Sequence, residues 1–255
     1  MKVDAVLPAG GRISGEFAEE VGVDVKALIS FGGQTILERT LAALRATEDI
    51  RRVIVVGPRE IEERAGQFAA DAVLPEAGSG PANILRGLDW LHGTNGGRCS
   101  RRVLILTTDL PFLTPEAVAR FLAACPRDLD LCLPLLRREE FEACFPHHSV
   151  RYVRLRDGEW KIGCGALVSP AAIIRTRHLI ERVFGARKSH LAMARLLGPL
   201  FILRFLTGQL TVRHIEQRSL RILGCSGTSV RGCAPELAFD IDYPRDYKYA
   251  VHRFA

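Results

Sequence analysis

The chain lacks the cysteine patterns that bind metal or form disulfides. Its seven cysteines include no CxxC pair and no even framework, so neither a zinc site nor a disulfide scaffold is indicated. Long hydrophobic runs are missing as well. The most apolar stretch, Leu196 to Leu206, is about eleven residues long and contains Arg204, which is too short for a bilayer span. Because no charged-then-apolar leader opens the sequence, we expect a soluble, cytoplasmic protein with no membrane span.

Lysine is scarce among the basic residues. The 255 residues include 35 lysines and arginines, of which only Lys2, Lys26, Lys161, Lys188 and Lys248 are lysines, and the net charge is +6. The positive residues are scattered rather than gathered on one element, so the charge does not indicate a nucleic-acid partner. A surface that favours anionic small molecules fits this distribution better.

Short apolar runs of strand length alternate with helical periods along the first half. The predicted strands are 3–7, 52–56, 72–74, 103–107 and 129–135, and helices are predicted over 35–45, from 60, over 81–91 and over 115–124. Unbroken Val/Ile/Leu strands separated by amphipathic helices indicate a parallel sheet with both faces covered. The sequence therefore predicts an α/β fold with a three-layer, doubly wound, mainly parallel sheet.

The pattern changes in the second half. Residues 152–155, the turn Asp157-Gly158 and residues 160–168 form a hairpin-like pair, which an all-parallel sheet would not include. The segment 171–223 is predicted to be largely helical, with an insertion rich in Leu and Arg. A final extended segment, 236–241, leads through Pro244 into a closing helix. We find no repeat or low-complexity tract, and the length is common for one α/β domain, so residues 1–255 are expected to form one domain.

A glycine turn follows the first predicted strand, in the order Pro8-Ala9-Gly10-Gly11-Arg12, and Lys26 comes after an irregular loop. Glycines let backbone N–H groups approach a polyphosphate, and a lysine brought back over the turn supplies a counter-charge. Gly10 and Gly15 have the spacing of a P-loop, but Glu16 and Phe17 replace its Lys and Ser/Thr. The GxGxxG of dinucleotide folds is also absent. The pattern indicates a nucleotide site of another kind.

LPAGGR, a loop of about a dozen residues and KALISFGGQTILERTLAAL resemble the start of the MobA-like nucleotidyltransferases, which include molybdopterin guanylyltransferases and sugar-phosphate nucleotidylyltransferases. The resemblance implies the GT-A-like fold of nucleotide-diphospho-sugar transferases. It also implies Mg²⁺-dependent transfer of a nucleoside monophosphate from a nucleoside triphosphate to a phosphorylated small-molecule acceptor, with release of pyrophosphate. On this reading residues 1–135 bind the nucleotide, and 136–255 form the acceptor side with the insertion at about 171–223. The implied nucleotide contacts come from Leu7, Ala9, Gly10 and Gly11, with Lys26 and Arg12 on the triphosphate.

Asp109 follows the predicted strand 103–107, at the sheet edge where α/β folds bind ligands. Mg²⁺ prefers one or two carboxylates together with phosphate oxygens, so a lone Asp there is chemically sensible. A helix cap or turn former is the alternative, although Thr114 before Pro115 is the better cap candidate. The string TDLPFLTPE also resembles the metal-binding strand end of the family, which favours Asp109 as a catalytic metal ligand.

A second acidic group stands in FDIDYPRDY. Asp240 and Asp242 lie two apart on a predicted extended segment, hence on one face, and Asp246 begins the next helix. One of them could cap that helix while the others are solvated. The resemblance instead implies that Asp240 or Asp242 is the second metal ligand or lies beside it, and we favour Asp240.

The loop Glu76 to Asn83 precedes a predicted helix and offers backbone groups and a helix N-terminus. The resemblance implies Gly78, Ser79 and Asn83 as contacts to the base or ribose. An ordinary strand-to-helix loop with Ser79 as the cap is the alternative. The identity of the base cannot be read from these residues.

Acceptor contacts are assigned to Arg151, Arg154, Lys188 and the turn Gly163 to Gly165. The histidines at 147, 148, 178 and 190 are assigned no site because no partner carboxylate or ligand spacing accompanies them. The leucine-rich segment 191–206 suits either a homodimer face or the core.

Two other functions stay open at this point. A nucleotide-sugar-dependent glycosyltransferase of the related fold would show an acidic D-x-D directly after a strand in mid-chain, whereas the D-x-D of FDIDYPRDY lies near the end. A non-catalytic nucleotide-binding regulatory protein is the second alternative, because the loop after Arg12 and the turn at Gly163 depart from the family pattern.

Overall fold

The computed structural model of the chain describes residues 2–93, 100–186 and 189–254. The strands in these ranges are β1 (Val3–Pro8), β2 (Ser30–Phe31), β3 (Gln34–Thr35), β4 (Ile50–Gly57), β5 (Ala72–Pro75), β6 (Val103–Leu106), β7 (Leu131–Arg137), β8 (Val153–Leu155), β9 (Gly158–Ile162), β10 (Gly165–Val168) and β11 (Gly227–Val230). The α-helices are α1 (Glu16–Val21), α2 (Ile36–Ala46), α3 (Arg59–Glu62), α4 (Gly80–Gly93), α5 (Pro115–Ala124), α6 (Arg138–Cys144), α7 (Pro170–Arg175), α8 (Arg177–Ala186), α9 (His190–Leu197), α10 (Pro199–Leu206), α11 (Val212–Leu223) and α12 (Pro244–Phe254). Short 3₁₀ helices in the same ranges cover Lys26–Leu28, Ala65–Gln67 and Pro235–Ala238.

A mixed sheet orders its strands β5-β4-β1-β6-β10-β7-β9-β8, and β11 pairs with β7. β1 runs parallel to β4 and β6, and β4 runs parallel to β5. β10 lies antiparallel between β6 and β7, and the β8-β9 hairpin extends the far edge. The predicted α/β fold with a mainly parallel sheet is thus confirmed, and its antiparallel part begins where the sequence pattern changes.

The sheet separates two apolar layers. On one face Leu7 of β1 packs in a cluster with Leu41 of α2 and Phe121 of α5. On the other face Val6 packs with Leu88 of α4 and with Ile173 of α7. Successive residues of β1 therefore enter opposite layers, as expected for a strand covered on both sides. Because side chains pack on both faces of β1, the carboxyl end of this strand is held in place at the edge of the sheet.

Aromatic side chains form a further cluster beside α6 and α12. The Phe239 ring centroid lies 4.7 Å from that of Phe145 and 4.8 Å from that of Phe112, and Phe141 is fully buried in the same cluster. Buried aromatic pairs of this kind contribute strongly to packing. Because Phe239 directly precedes Asp240, the cluster anchors the chain segment that carries the second acidic group.

The structure corrects three local predictions. The loop after Arg12 contains the short helix α1, whose Phe17 is buried against Tyr247. The segment 236–241 is not extended throughout, because Pro235, whose fixed φ suits a first helical position, opens a 3₁₀ helix that includes Glu236. The predicted strand 160–168 is two strands, since the Cys164 N–H leaves the ladder and donates to the Leu237 carbonyl at 2.7 Å.

Within the described residues, the predicted helical segment 171–223 contains the helices α7 to α11. α11 is the longest of these helices and is capped by Thr211, whose hydroxyl accepts a hydrogen bond from the His214 N–H. Among the described residues, no helix combines the length and apolar character needed to cross a membrane.

Candidate active site

The glycine turn at the end of β1 presents backbone rather than side chains. Leu7 and Ala9 are fully buried in the core, and the Ala9 N–H donates to the Val56 carbonyl at 2.7 Å. A Cβ on Gly10 would lie 2.9 Å from Asn83 Nδ2, so only glycine fits this close contact. Of the predicted turn contacts, Leu7 and Ala9 position the turn, whereas the amides of Gly10 and Gly11 bond to no group in the described part of the chain.

The chain returns from α1 to lie over this turn. The Lys26 N–H donates to the Gly11 carbonyl at 2.9 Å, and Arg12 forms an isolated β-bridge with Val25. The Lys26 side chain then runs past Gly11, with its Cδ 3.4 Å from the position that a Cβ on Gly11 would occupy. The structure thus brings the predicted lysine over the predicted turn.

Lys26 meets two of the predicted carboxylates. Its Nζ lies 3.7 Å from Asp109 Oδ2 and donates a short hydrogen bond to Asp242 Oδ1. Burial lowers the pKa of Lys26, but the Asp109 and Asp242 charges outweigh burial and raise this pKa above its ordinary value. Lys26 is therefore a fixed positive charge at the site.

Asp109 lies just beyond the carboxyl end of β6. Its side chain is 18% exposed, and its Oδ1 is buried with no hydrogen-bond partner in the described part of the chain. Burial raises the pKa of Asp109 above its ordinary value, an effect that the Lys26 charge and the Thr107 hydroxyl oppose without cancelling it. A buried carboxylate oxygen without a partner is costly, so this atom is suited to a cation or a donor that arrives with a ligand.

The C-terminal acidic segment joins the site through the backbone. The Ile241 N–H donates to the Asp109 carbonyl at 3.0 Å, which places Asp240 and Asp242 on either side of this contact. Asp242 turns to Lys26, whereas Asp240 pairs with Lys161 of β9, whose Nζ lies 3.0 Å from Asp240 Oδ1. Each of the two carboxylates is thus paired with a lysine, and Asp242 shares its lysine, Lys26, with Asp109.

Lys161 is the site residue that the sequence analysis missed. Its side chain is only 14% exposed and lies over the Phe141 ring, with Nζ 5.6 Å from the centroid. The available signal was a lone lysine inside the apolar run WKIGCGALV of a lysine-poor chain. The second half therefore contributes a cation to the edge that carries Lys26.

The donor set fits a hard divalent cation. The described residues contain no preassembled group of three or more His, Cys, Asp or Glu side chains around a metal position. Mg²⁺ does not need one, because it binds one or two carboxylates and completes its shell with water and substrate phosphates. The unpartnered oxygen of Asp109 and the nearby carboxylate of Asp242 match that requirement.

The loop before α4 is braced by its own side chains. Asn83 is buried, and its Oδ1 accepts a hydrogen bond from the Ala77 N–H at 2.6 Å. Ser79 caps the helix, since its hydroxyl accepts from the Ala82 N–H at 3.2 Å. Gly78 is exposed with φ +80°, a conformation that favours glycine. Gly78 and Ser79 thus remain open to a ligand, whereas Asn83 holds the loop against Gly10.

Arg12 lies at the rim of the site in a carboxylate network. Its guanidinium bonds to Asp24 at 2.7 Å and to Glu60 at 3.1 Å, and it lies 3.9 Å from Glu76. The hydrogen bond to Glu60 raises the pKa of Arg12 above its ordinary value. Arg12 therefore links the glycine turn to α3 and to the loops that carry Asp24 and Glu76.

The predicted acceptor residues separate in space. Arg151 lines a small depression with Lys161 and Asp242, next to the two lysine-aspartate pairs. Arg154 pairs with Glu159 at 2.8 Å within the β8-β9 hairpin and is 83% exposed. Gly163 is buried against Pro134, which a Cβ would approach to 2.6 Å, and Lys188 lies outside the described residues.

One of the histidines that were assigned no site has a carboxylate partner, contrary to the prediction. His148 has a carboxylate partner, Asp246, with Nε2 3.2 Å from Oδ1 and both side chains buried. The other oxygen of Asp246 accepts the N–H groups of Asp242 and Tyr243 at 3.0 and 2.8 Å. Burial raises the pKa of Asp246, but the His148 and backbone hydrogen bonds outweigh burial and lower it. The pair thus fixes the backbone of Asp242, a role that sequence spacing could not show.

The family and fold are shared with known nucleotidyltransferases. The model of the MobA-like NTP transferase domain matches residues 5–195. A hypothetical transferase from Thermus thermophilus is 32% identical over 96% of this chain and 99% of its own, with a TM-score of 0.83. No curated protein matches the sequence.

Two further solved structures are similar in fold alone. The 2-C-methyl-D-erythritol 4-phosphate cytidylyltransferase from Thermus thermophilus has 22% identity and a TM-score of 0.55 over 100% of this chain and 99% of that one. The 4-diphosphocytidyl-2C-methyl-D-erythritol synthase from Anaerococcus prevotii has 14% identity and a TM-score of 0.61 over 99% and 95% of the two chains. The match of the family model over residues 5–195 and the 32% identity to the Thermus thermophilus transferase show that the chain belongs to the family of MobA-like NTP transferase domains and is a nucleotidyltransferase enzyme.

Proposed function

We propose that the enzyme transfers a nucleoside monophosphate from a nucleoside triphosphate to a phosphorylated small-molecule acceptor in a Mg²⁺-dependent reaction. The observation that carries the proposal is the convergence of Lys26, the free amides of Gly10 and Gly11, and the unpartnered oxygen of Asp109 at one sheet edge. Amides and an ammonium bind phosphate oxygens, and a buried carboxylate binds a hard cation. These are the parts that a magnesium triphosphate requires.

The reaction would begin with an oxygen of the acceptor phosphate attacking the α-phosphorus. A new P–O bond forms, the bond from the α-phosphorus to the oxygen bridging to the β-phosphorus breaks, and pyrophosphate leaves. An ionised phosphate needs no general base, so the chain contributes position and charge. Lys26 and the glycine amides hold the triphosphate in line. Mg²⁺ held by Asp109 and Asp242 would neutralise charge on the phosphates and on the leaving group.

The position of Lys161 favours an acceptor with a negative charge, bound on the side of Asp242 away from Lys26. Together with Arg151 it faces a depression that Asp240, Asp242 and Tyr243 also line. The pairing of Lys161 with Asp240 keeps the ammonium in place before a substrate arrives. We propose that the acceptor phosphate enters at this edge, while Gly78 and Ser79 lie on the nucleobase side.

Pyrophosphate release tests the proposal. Each nucleoside triphosphate is incubated with Mg²⁺ and a panel of phosphorylated acceptors, and product formation is followed alongside pyrophosphate. We expect acceptor-dependent release in equal amounts with the nucleotidyl product. Product without pyrophosphate from a nucleotide sugar would indicate a glycosyltransferase instead, and nucleotide binding without any product would indicate a regulatory protein.

A further inference from the structure

An apolar cavity of about 540 Å³ lies on the face of the sheet that α4, α7 and α8 cover. Its floor is formed by Ile105 of β6, Ala166 of β10 and Leu133 of β7. Its roof includes Ile180 of α8 and Leu223 of α11. No charged side chain lines it in the described part of the chain.

The floor of the cavity is unusual for the middle of a sheet. Ala166 and Leu133 stay partly exposed, whereas their neighbours on the opposite face, Leu167 and Cys132, are buried in the core. Central strands of an α/β sheet are normally covered on both faces. Apolar surface left open to water is unfavourable and marks binding sites. The volume also lies in the range of about 300 to 1,000 Å³ that is typical of ligand pockets.

The cavity opens beside the candidate active site. Pro8, at the end of β1, and Thr107, two residues before Asp109, both line it. The Thr107 N–H and hydroxyl bond to the Cys164 carbonyl at 3.0 and 3.2 Å, so this part of the wall is held firmly. A molecule that fills the cavity therefore ends next to the residues proposed to bind the triphosphate and Mg²⁺.

The residues that line the cavity indicate which class of molecule can bind there. A nucleobase carries donors and acceptors along its edge, and a sugar carries hydroxyls, which both need polar partners when buried. The cavity offers few polar side-chain groups, those of Thr107 and Thr176 and two cysteine thiols, against an otherwise aliphatic wall. A hydrocarbon group satisfies this lining without leaving polar atoms unpaired.

We propose that the acceptor of this enzyme is a phosphate ester with an apolar group, such as an alkyl chain, which occupies the cavity while its phosphate reaches the reaction centre. This inference rests on the proposed function and names its substrate class. The helices α7, α8 and α11, which belong to the second half of the chain, form much of the roof. The same helical segment that departs from the alternating strand-helix pattern would then provide acceptor specificity.

Binding of octyl phosphate, compared with ethyl phosphate, tests the inference directly by calorimetry below the micellar concentration. Each methylene moved from water into an apolar site tightens binding by about fourfold. We expect octyl phosphate to bind at least about 100-fold more tightly than ethyl phosphate, because several of its methylenes would be buried. Ala166→Phe places a larger side chain on the floor of the cavity and should reduce the preference for octyl over ethyl phosphate by at least about tenfold.

Two further variants serve as a control and as a replacement. Ala42→Phe places the same side chain on the exposed face of α2 and should leave the preference unchanged. If Ala166→Phe fails to fold, Val183→Phe fills the cavity from α8 and should have the same effect. Equal affinity for the two esters, or an octyl preference that neither filled variant reduces, would overturn the inference. Competition by the nucleoside alone for the octyl site would also overturn it, by assigning the cavity to the base.

Turnover separates this inference from the proposed function. Pyrophosphate release with both esters at equal kcat/KM would refute the apolar acceptor and leave the nucleotidyl transfer standing. Octyl phosphate binding without pyrophosphate release from any nucleoside triphosphate and any acceptor would refute the proposed function, and the acceptor role of the cavity with it. Higher kcat/KM for octyl phosphate, reduced to the ethyl level in the filled variant, is the expected result.

Discussion

Lys26 Nζ lies 3.7 Å from Asp109 Oδ2 and also bonds to Asp242. One ammonium thus holds together a carboxylate from the middle of the chain and another from its end. In the absence of substrate, the lysine keeps two negative charges close to each other. When a magnesium triphosphate binds, Mg²⁺ can pair with the two carboxylates and the phosphate oxygens can pair with Lys26. The contacts that Lys26 loses to Asp109 and Asp242 are therefore replaced at little cost.

Lys26→Met should abolish most of the activity. The substitution keeps the length of the side chain but removes the charge that we place on the triphosphate. Loss of one preorganised charge-stabilising group typically lowers kcat by about 10²- to 10³-fold. Steady-state pyrophosphate release measures the effect. Lys248→Met, which removes an exposed lysine near Glu20, is the matched control, and equal loss in both variants would argue against a specific role.

Asp109→Asn should lower activity without lowering stability. The amide has nearly the same shape but binds Mg²⁺ poorly, so kcat should fall by at least about 10²-fold and the Mg²⁺ requirement should rise. Because burial raises the pKa of Asp109, ionising it costs folding free energy at neutral pH. We therefore expect a melting temperature at or above that of the wild type.

The exposed Asp89 of α4 provides the control for this experiment. Asp89→Asn removes a carboxylate that lies 3.8 Å from Arg177 and should change neither activity nor the Mg²⁺ requirement. A strong loss of stability in Asp109→Asn would show that the Asp109 carboxylate is structural, contrary to the role assigned to it.

Asp4 should contribute stability that depends on pH. It is fully buried in β1, with Oδ2 2.7 Å from Arg51 Nη2 and 2.8 Å from Arg52 Nη2. Burial raises the pKa of Asp4, but hydrogen bonds from the two arginines outweigh burial and hold it well below its ordinary value. The stabilisation is therefore present above the unfolded pKa of about 3.9 and is lost as the pH falls below it.

Urea unfolding of Asp4→Ala measures this contribution. Asp4→Ala removes hydrogen bonds from charged groups, each of which contributes about 1.5 to 3 kcal/mol, so the variant should unfold at lower urea at pH 7. The difference in unfolding free energy from the wild type should shrink toward pH 3. Asp128→Ala, at an exposed position, is the control, and a difference that does not vary with pH would contradict the assignment.

Asp246 should act on activity through Asp242. Asp246→Ala removes the acceptor for the Asp242 and Tyr243 N–H groups, and loss of such a helix-start contact costs about 1 kcal/mol. The released backbone should also raise the Mg²⁺ concentration needed for half-maximal activity. Asp246→Asn keeps one carbonyl acceptor and should restore part of this affinity. Identical Mg²⁺ requirements in both variants and the wild type would show that Asp246 serves folding alone.

Some parts of the site could be predicted from the sequence, because they depend on the local residue pattern and on the parallel arrangement of the strands. An apolar strand followed by two glycines gave the turn at Gly10, and a strand end in mid-chain gave Asp109, because parallel strands deliver their carboxyl ends to one edge. The return of Lys26 over the turn was expected from the family resemblance, and the Lys26 N–H to Gly11 bond now supplies its geometry.

The remaining parts depend on contacts that no local pattern encodes. Lys161 reaches Asp240 only because the antiparallel strand β10 inserts between β6 and β7 and sets the position of β9. The backbone bond between Ile241 and Asp109 brings the acidic segment to the site, and only the tertiary structure shows that Asp242 then pairs with Lys26 and Asp240 with Lys161. The apolar cavity likewise exists only after α7, α8 and α11 have packed over the sheet.

A crystal grown with Mn²⁺ and a non-hydrolysable α,β-methylene nucleoside triphosphate would show whether the metal and the triphosphate bind at Asp109 and Lys26. Anomalous scattering locates the manganese, and the four bases can be tried in turn. We expect a metal peak bonded to Asp109, with the triphosphate against the Gly10 and Gly11 amides and Lys26. A bound nucleotide whose phosphates lie away from Lys26, or a metal that does not contact Asp109, would contradict it.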